Sequence, residues 1–102
     1  MPLKAAFIFI APNADPIIHR STIETEQVTL ITVGVKNYDS AIEEAVKLTE
    51  DGVVAIELCG GFGHNGAAMV SNAVKDKAAV GVVRFDLHPG LDNKSGDDIF
   101  WR

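Results

Sequence analysis

The sequence predicts a single-domain α/β layered fold with a mainly parallel four-stranded sheet and the element order β-α-β-α-β-α-β. Four apolar segments, at 4–11, 28–35, 53–58 and 79–86, carry nearly continuous Val, Ile, Leu, Ala and Phe. Such segments are typical of strands that are buried on both faces, as in parallel sheets covered by helices. A chain of 102 residues has the length of one domain, which we assign to 1–102.

The first two strands, 4–11 and 28–35, are separated by a predicted short helix at 16–23. Asp15 is suited to the cap position before this helix and Pro16 to its first residue. The later Thr-Ile pair of the segment consists of poor helix formers. With a helix in each connection, we expect right-handed crossovers and the doubly wound strand order 2-1-3-4.

Two further helices are predicted at 40–51 and 66–77, where apolar residues recur at helical spacing. Ser40 and Glu43 have the spacing of a capping box at the start of the first of them. Gly52 is placed to end the same helix in a left-handed turn. Each helix would connect two consecutive strands of the sheet.

The C-terminal segment 87–98 has neither helical nor strand periodicity and is rich in Gly, Asp and Asn. It is followed by Ile99, Phe100 and Trp101, whose apolar side chains favour burial. We therefore predict an ordered loop that shapes the edge of the sheet. In this loop Phe100 or Trp101 is largely buried, against the body or a neighbouring subunit.

Composition and charge restrict the class of protein. Hydrophobic residues make up 47% of the chain and the mean hydropathy is +0.16, which provides an ample core and excludes disorder. Apolar residues beyond the needs of so small a core favour a homo-oligomer. The net charge is −5 and no two Lys or Arg residues are adjacent, so a nucleic acid is not an expected partner.

The single cysteine excludes an internal disulfide and favours a cytoplasmic location. The apolar segment near the N-terminus, Ala5–Ala11, is too short to span a bilayer. A secretory signal is disfavoured, because Asp15-Pro16 stands where small cleavage-site residues are expected. We therefore expect no membrane partner and interpret the apolar segment as a buried first strand.

The predicted functional edge is the one at which the parallel strands end. In open α/β sheets, ligands bind beyond the carboxyl ends of the strands, where the strand order reverses. In the order 2-1-3-4 this point lies between the first and third strands, and all three histidines and the cysteine fall at this edge. The candidate residues are Asp15, His19 and Arg20 after the first strand, Cys59, Gly60, Gly61, Gly63, His64 and Asn65 after the third, and Arg84, Asp86 and His88 at the end of the fourth.

A G-x-G-x-x-G motif at 61–66 follows a predicted strand and opens a predicted helix, and Asp86 lies 20 residues beyond it, where a ribose-binding acid would be expected. Glycines in this position let backbone N–H groups face a phosphate. Against a dinucleotide site, the motif lies in the last βαβ unit, so no second mononucleotide half follows, and we expect a weak or absent response to NAD. The alternatives are another anion or carboxylate site, or a tight turn whose glycines permit positive φ and close packing.

Cys59 is a candidate nucleophile, because it precedes a helix N-terminus and His64 or His88 could act as its base. The alternative is a small buried hydrophobic residue at a strand end. Asp86 and His88, spaced i, i+2, would point the same way. With His64 they could bind a metal, but Asp-x-His is weakly specific and we expect no metal site.

Two charges interrupt the apolar strands, and we expect Glu57 and Arg84 to pair across adjacent strands. The alternative is that Arg84 holds an anionic ligand through two hydrogen bonds. Asp15 and Arg20 are further candidates for ligand binding. Their alternatives are a helix cap and a surface residue.

Two strings, Glu57–Gly63 (ELCGGFG) and Val83–Gly90 (VRFDLHPG), resemble a small family of bacterial proteins of about this length that carry no assigned activity. The resemblance extends to Ala14-Asp15-Pro16 and His19-Arg20. It implies a bacterial origin and a cytoplasmic location, and it brings no substrate, cofactor or catalytic residue.

The first functional hypothesis is a site for a small anionic metabolite at the carboxyl ends of the strands. It includes the option of acid–base or nucleophilic chemistry by Cys59, His64 and Asp86. The second is a non-catalytic oligomeric or interaction module whose polar edge is the interface. The third is a nucleotide-binding half-domain that uses 61–66. The sequence identifies no cofactor and does not decide whether the protein is an enzyme.

Overall fold

The computed structural model describes residues 2–101 and has one mixed sheet with the strand order β2-β3-β1-β4-β5. Two helices connect β3 to β4 and β4 to β5, and two short 3-10 turns lie in the C-terminal segment. The elements are β1 (Leu3–Ile10), β2 (Arg20–Glu24), β3 (Val28–Val35), α1 (Tyr38–Glu50), β4 (Ala55–Leu58), α2 (His64–Ala73) and β5 (Ala79–Val82), followed by turns at Pro89–Leu91 and Gly96–Asp98.

The predicted α/β class is confirmed, and the sheet has five strands rather than four. The four predicted strands are parallel and lie in the order β3-β1-β4-β5, which is the expected order of these four. The predicted helix at 16–23 is wrong. The chain turns at 16–18 and then forms β2, which runs antiparallel to β3. Its Thr22 and Ile23 are β-branched and favour an extended backbone.

Both helices pack against the same face of the sheet. Alternate residues of β1 and β3, such as Ile8 and Val33, point to this face and are fully buried under Tyr38 and Leu48 of α1 and Val70 of α2. The reason is topological. The connections from β3 to β4 and from β4 to β5 cross the sheet in the same direction, and right-handed crossovers therefore place both helices on one side.

The connection from β1 to β3 crosses the sheet in the opposite direction, so a helix there would have covered the other face. Because β2 takes its place, this face has no helix on it, and we call it the open face. It consists of Leu3, Ala5, Phe7 and Phe9 of β1, Val28, Leu30, Thr32 and Gly34 of β3, Ser21 and Ile23 of β2, Ala55 and Glu57 of β4, and Ala79 and Gly81 of β5.

The ends of α1 differ in part from expectation. Asn37, not Ser40, is the cap: its side chain accepts a hydrogen bond from the Ser40 amide at 2.8 Å. The predicted capping box of Ser40 and Glu43 is therefore wrong, because both residues already lie inside the helix. Gly52 ends the helix as predicted, at φ 97°. No helix within residues 2–101 has the length and apolarity needed to cross a membrane.

The predicted pair between Glu57 and Arg84 is wrong. The β5 ladder ends at Val82, and Arg84 instead bonds the carboxylate of Asp86 at 2.9 Å. Glu57 lies on the open face, beside Phe7 and Gly81, and is exposed to solvent. Neither side chain is buried, so neither needs an ionic partner to compensate for lost solvation.

Candidate functional site

The carboxyl ends of β1, β4 and β5 lie at one edge of the sheet because these strands are parallel. Cys59 directly follows β4 and precedes the loop into α2, as predicted, and Asp86 follows β5 at the same edge. The C-terminal segment 87–101, which we call the tail, then runs from β5 back across this edge to α1. There the carbonyl of Phe100 accepts a hydrogen bond from the amide of Tyr38 at 3.2 Å.

The glycine-rich loop holds a carboxylate from the tail. One oxygen of Asp97, Oδ2, accepts hydrogen bonds from the backbone and side-chain nitrogens of Asn65, both at 3.1 Å. The other, Oδ1, accepts from the Gly66 amide at 3.3 Å and from the Tyr38 hydroxyl at 2.8 Å. That hydroxyl in turn accepts from the amide of Gly63 at 3.0 Å. The start of α2 thus holds an anion, and this anion is the chain's own Asp97 carboxylate.

The pKa values of Asp97 and Tyr38 are shifted in the directions that this hydrogen-bond network requires. Burial raises the pKa of the Asp97 carboxyl, but hydrogen bonds from the Asn65 amide, the Tyr38 phenol and a second loop amide lower it by more. The net effect holds the pKa of Asp97 below its usual value. Burial, joined by the nearby Asp97 carboxylate, raises the pKa of the Tyr38 phenol above its usual range, so the hydroxyl remains a donor.

Close packing explains the glycines of the motif. A Cβ at Gly63 would overlap the side chain of Asp97, and one at Gly66 would overlap the ring of Tyr38. A Cβ at Gly60 would overlap the ring of Phe85 in the same way. Within residues 2–101, Gly52 alone among glycines has a positive φ. The alternative interpretation, a tight turn, is therefore confirmed for the close packing of these glycines. Its expected positive φ is wrong, because none of the glycines of the motif has one.

The tail fills the place where the strand order reverses, between β1 and β4. Gly96 packs against the carbonyl of Gly61, so closely that no side chain fits there. Phe100 is 3% exposed and joins the core cluster, which confirms the predicted burial of one terminal aromatic residue, whereas Trp101 is 45% exposed. The switch point, which the sequence offers as a ligand site, is thus occupied by the protein itself.

A cavity of about 190 Å³ remains on the β5 side of the tail, and we call it the His64–Arg84 cavity. Asp86 links two of its lining residues, because its Oδ1 lies 2.9 Å from Arg84 Nε and 3.5 Å from His64 Nε2. The hydrogen bond and charge of Arg84 lower the pKa of Asp86, so this carboxylate stays ionised at neutral pH. The lining residues are Phe62, Gly63, His64, Ala67, Val82, Arg84 and Phe85.

A second, more polar cavity, of about 430 Å³, lies between the turn after β1 and the start of α1, and we call it the Asp15 cavity. It shares no lining residue with the first, so Asp15 does not join His64 and Arg84 in one site. Asp15 Oδ1 accepts from the Ile17 amide at 2.9 Å, which stabilises a turn rather than a helix. The lining residues are Asn13, Ala14, Asp15, Pro16, Lys36, Ser40 and Glu43.

Arg20 and His19 have local roles. Arg20 Nη1 bonds the carboxylate of Glu44 at 3.2 Å and the carbonyl of Pro16 at 2.9 Å. Glu44 is 5% exposed, so this pair compensates a buried charge and fastens β2 to α1. His19 Nδ1 accepts a hydrogen bond from the amide of Asp15 at 2.8 Å.

Cys59 and His88 lie at the predicted edge but are not joined. The sulfur of Cys59 accepts a hydrogen bond from the Gly61 amide at 3.3 Å. His88 Nδ1 accepts from the Gly90 amide at 2.9 Å, and its ring packs on Phe85 with 4.5 Å between centroids. In the described part of the chain, no hydrogen bond connects Cys59 to a histidine, and no three His, Cys, Asp or Glu residues cluster as metal ligands.

Tyr38 and Asp97 are the important residues that the sequence did not identify. Asp97 accepts hydrogen bonds from Gly66, Asn65 and Tyr38, which precede it by 31, 32 and 59 positions in the sequence. No local sequence pattern predicts contacts over such separations. One signal is present in the sequence: Ser95 precedes Asp97 by two residues, and its hydroxyl accepts from the Asp97 amide at 3.1 Å, a local turn that orients the carboxylate.

Comparison with known proteins identifies the family. Neither the curated proteins nor the solved structures include a significant match to this chain. The model of a family of unknown function, DUF6506, matches residues 3–98, which is nearly the whole sequence. The chain therefore belongs to the DUF6506 family.

Proposed function

We propose that the protein binds a small molecule with a carboxylate or phosphate group in the His64–Arg84 cavity. One observation carries the proposal: the cationic side chain of Arg84 and the imidazole of His64 line the same cavity as the rings of Phe62 and Phe85. A cavity with a cationic wall and an aromatic wall suits a ligand with an anionic end and a flat apolar body.

Arg84 is arranged to receive an anion. Asp86 bonds only its Nε, and the two terminal nitrogens of the guanidinium have no hydrogen-bond partner in the described part of the chain. These two nitrogens form the planar fork that binds carboxylate or phosphate through paired hydrogen bonds. Asp86 therefore orients the guanidinium while leaving its binding edge available.

Size and aromatic content limit the ligand. At about 190 Å³ the cavity is smaller than the roughly 300–1,000 Å³ typical of sites for drug-sized molecules. It suits a metabolite-sized anion or one end of a longer ligand. Phe85 is 40% exposed, so its ring offers a surface on which a flat ligand can stack.

Binding has more support than covalent catalysis or dinucleotide recognition. Cys59 lacks a bonded histidine that would activate it as a nucleophile. The loop amides that would hold a pyrophosphate already donate to Asp97, so a nucleotide would have to displace this carboxylate. An anion that binds the two terminal nitrogens of Arg84 would not have to displace Asp97.

Thermal melting with benzoate as the probe tests the proposal. Benzoate at ten times its dissociation constant should stabilise the fold by about 1.4 kcal/mol, or roughly 6–11 °C for a domain of this size. Neutral benzamide should have no effect. Arg84→Met should abolish the benzoate shift, and Lys75→Met, a change of the same charge beyond the other end of α2, should retain it.

Two results would count against the site. Either benzoate and inorganic phosphate leave the melting temperature unchanged at millimolar concentration, or Arg84→Met responds as Lys75→Met does. The second result would mean that an anion binds elsewhere.

A further inference from the structure

The open face is an apolar surface with a single charge. Its large side chains, such as Phe7, Phe9 and Leu30, lie on the central strands β1 and β3. They are half-buried, and at the margins of the face Ile23 is 56% and Leu3 45% exposed. Among the residues that define this face Glu57 is the only charged one, and it lies on β4 beside Phe7 of the central strand β1. Soluble monomers rarely expose apolar patches of more than a few hundred Å².

The extent of this face can be compared with what a stable dimer requires. The strands have 8, 5, 8, 4 and 4 residues. At about 3.3 Å per residue and about 4.8 Å between strands, they cover roughly 450 Å². Two such faces together give roughly 900 Å², and protruding side chains add to this. The sum comes close to the approximately 1,000 Å² at which specific interfaces begin.

We propose that a second copy of this chain covers the open face, and that the two sheets pack face to face about a two-fold axis. A two-fold axis between β1 and β3 places the apolar residues of these two strands in one copy on those of the other. A centre rich in apolar residues is the usual anatomy of such an interface. The result is two sheets about 10 Å apart, with each helical layer outside.

The absence of charged side chains among the open-face residues of the central strands favours the open face as the surface for self-association. Each copy has a net charge of −5, so two copies repel each other. The central strands of the open face contribute no charged side chain to that repulsion. The proposal is independent of ligand binding, because the His64–Arg84 cavity lies at the carboxyl edge, lined from α2 and from the end of β5 onward.

The test places a charge at the centre of the face. Thr32 lies on β3 next to Phe7 and is already polar and half-buried, so Thr32→Arg should fold. The matched control is Ser71→Arg, which adds the same charge on the exposed side of α2. Mass is measured by sedimentation equilibrium across micromolar concentrations, and folding by circular dichroism.

The wild type and Ser71→Arg should sediment as dimers, with twice the chain mass of 10.9 kDa. Thr32→Arg should be a folded monomer, with a dissociation constant raised by about 100-fold or more. If Thr32→Arg fails to fold, Ile23→Lys at the exposed margin decides instead. A monomeric wild type, or a charged variant that remains as dimeric as Ser71→Arg, overturns the proposal.

Discussion

Asp97 determines the chemistry of the glycine-rich loop at the scale of single residues. Its carboxylate occupies the position that a phosphate takes in nucleotide-binding loops, at the start of a helix and opposite backbone amides. The same side chain also bonds Tyr38 of α1, so one residue connects the tail, the loop and both helices. A G-x-G-x-x-G string can therefore serve the internal packing of a fold.

The protonation of Asp97 gives a pH-dependent prediction. Because its folded-state pKa is lowered, its carboxylate contributes stability that is present above about pH 4 and is lost as pH falls through the folded-state value. Asp97→Asn should therefore reduce the free energy of unfolding by about 2 kcal/mol at pH 7 and by much less at pH 3. Urea denaturation at several pH values measures both.

Asp98→Asn is the control for this prediction. Asp98 is exposed, and its side chain makes no hydrogen bond with residues 2–101. Its loss should leave stability nearly unchanged at every pH. A difference between the wild type and Asp97→Asn that stays constant from pH 7 to pH 3 would show that the Asp97 charge does not stabilise the fold.

The tail is the element that packs on the glycine-rich loop, where Gly96 contacts the carbonyl of Gly61. Its two terminal aromatic residues provide a matched pair, since Phe100 is 3% and Trp101 45% exposed. Phe100→Ala should lower the free energy of unfolding by about 3–5 kcal/mol, the usual cost of truncating a buried Phe. Trp101→Ala should cost less than about 1 kcal/mol, as is common for surface positions. Chemical denaturation of the two variants compares them directly, and equal losses would contradict the docking of Phe100.

Elements with a buried face could be predicted, and elements without one could not. The strand at 28–35 and the helix that ends at Gly52 carry long apolar patterns, and both occur where expected or within two residues of it. Every residue of β2 is exposed, so no burial pattern identifies it as a strand. Its pairing with β3 is a tertiary interaction, and this pairing overrides weak local preferences.

The candidate site shows the same division. Its edge of the sheet and the placement of Cys59, His64 and Asp86 follow from strand order, which apolar patterns predict. The carboxylate in the loop does not follow, because Asp97 and Tyr38 are 59 positions apart. Nor does the separation of the Asp15 cavity from the His64–Arg84 cavity, which share no lining residue.

At the scale of the whole molecule, residues 2–101 form a sheet with helices on one face only, and this asymmetry gives its surfaces different roles. The helical face holds the core, the carboxyl edge holds the His64–Arg84 cavity, and the open face is available to a second copy. One exchange of elements causes this arrangement: β2 stands where a doubly wound fold would have a helix.

The most direct test of the proposed binding site is a titration of ¹⁵N-labelled protein with benzoate, followed by amide chemical shifts. We expect saturable shifts at residues 62–67 and 82–85, around the His64–Arg84 cavity. The amides that line the Asp15 cavity should not move. If no amide shifts at millimolar benzoate, or if the shifts occur around Asp15 instead, the site is not where we propose it.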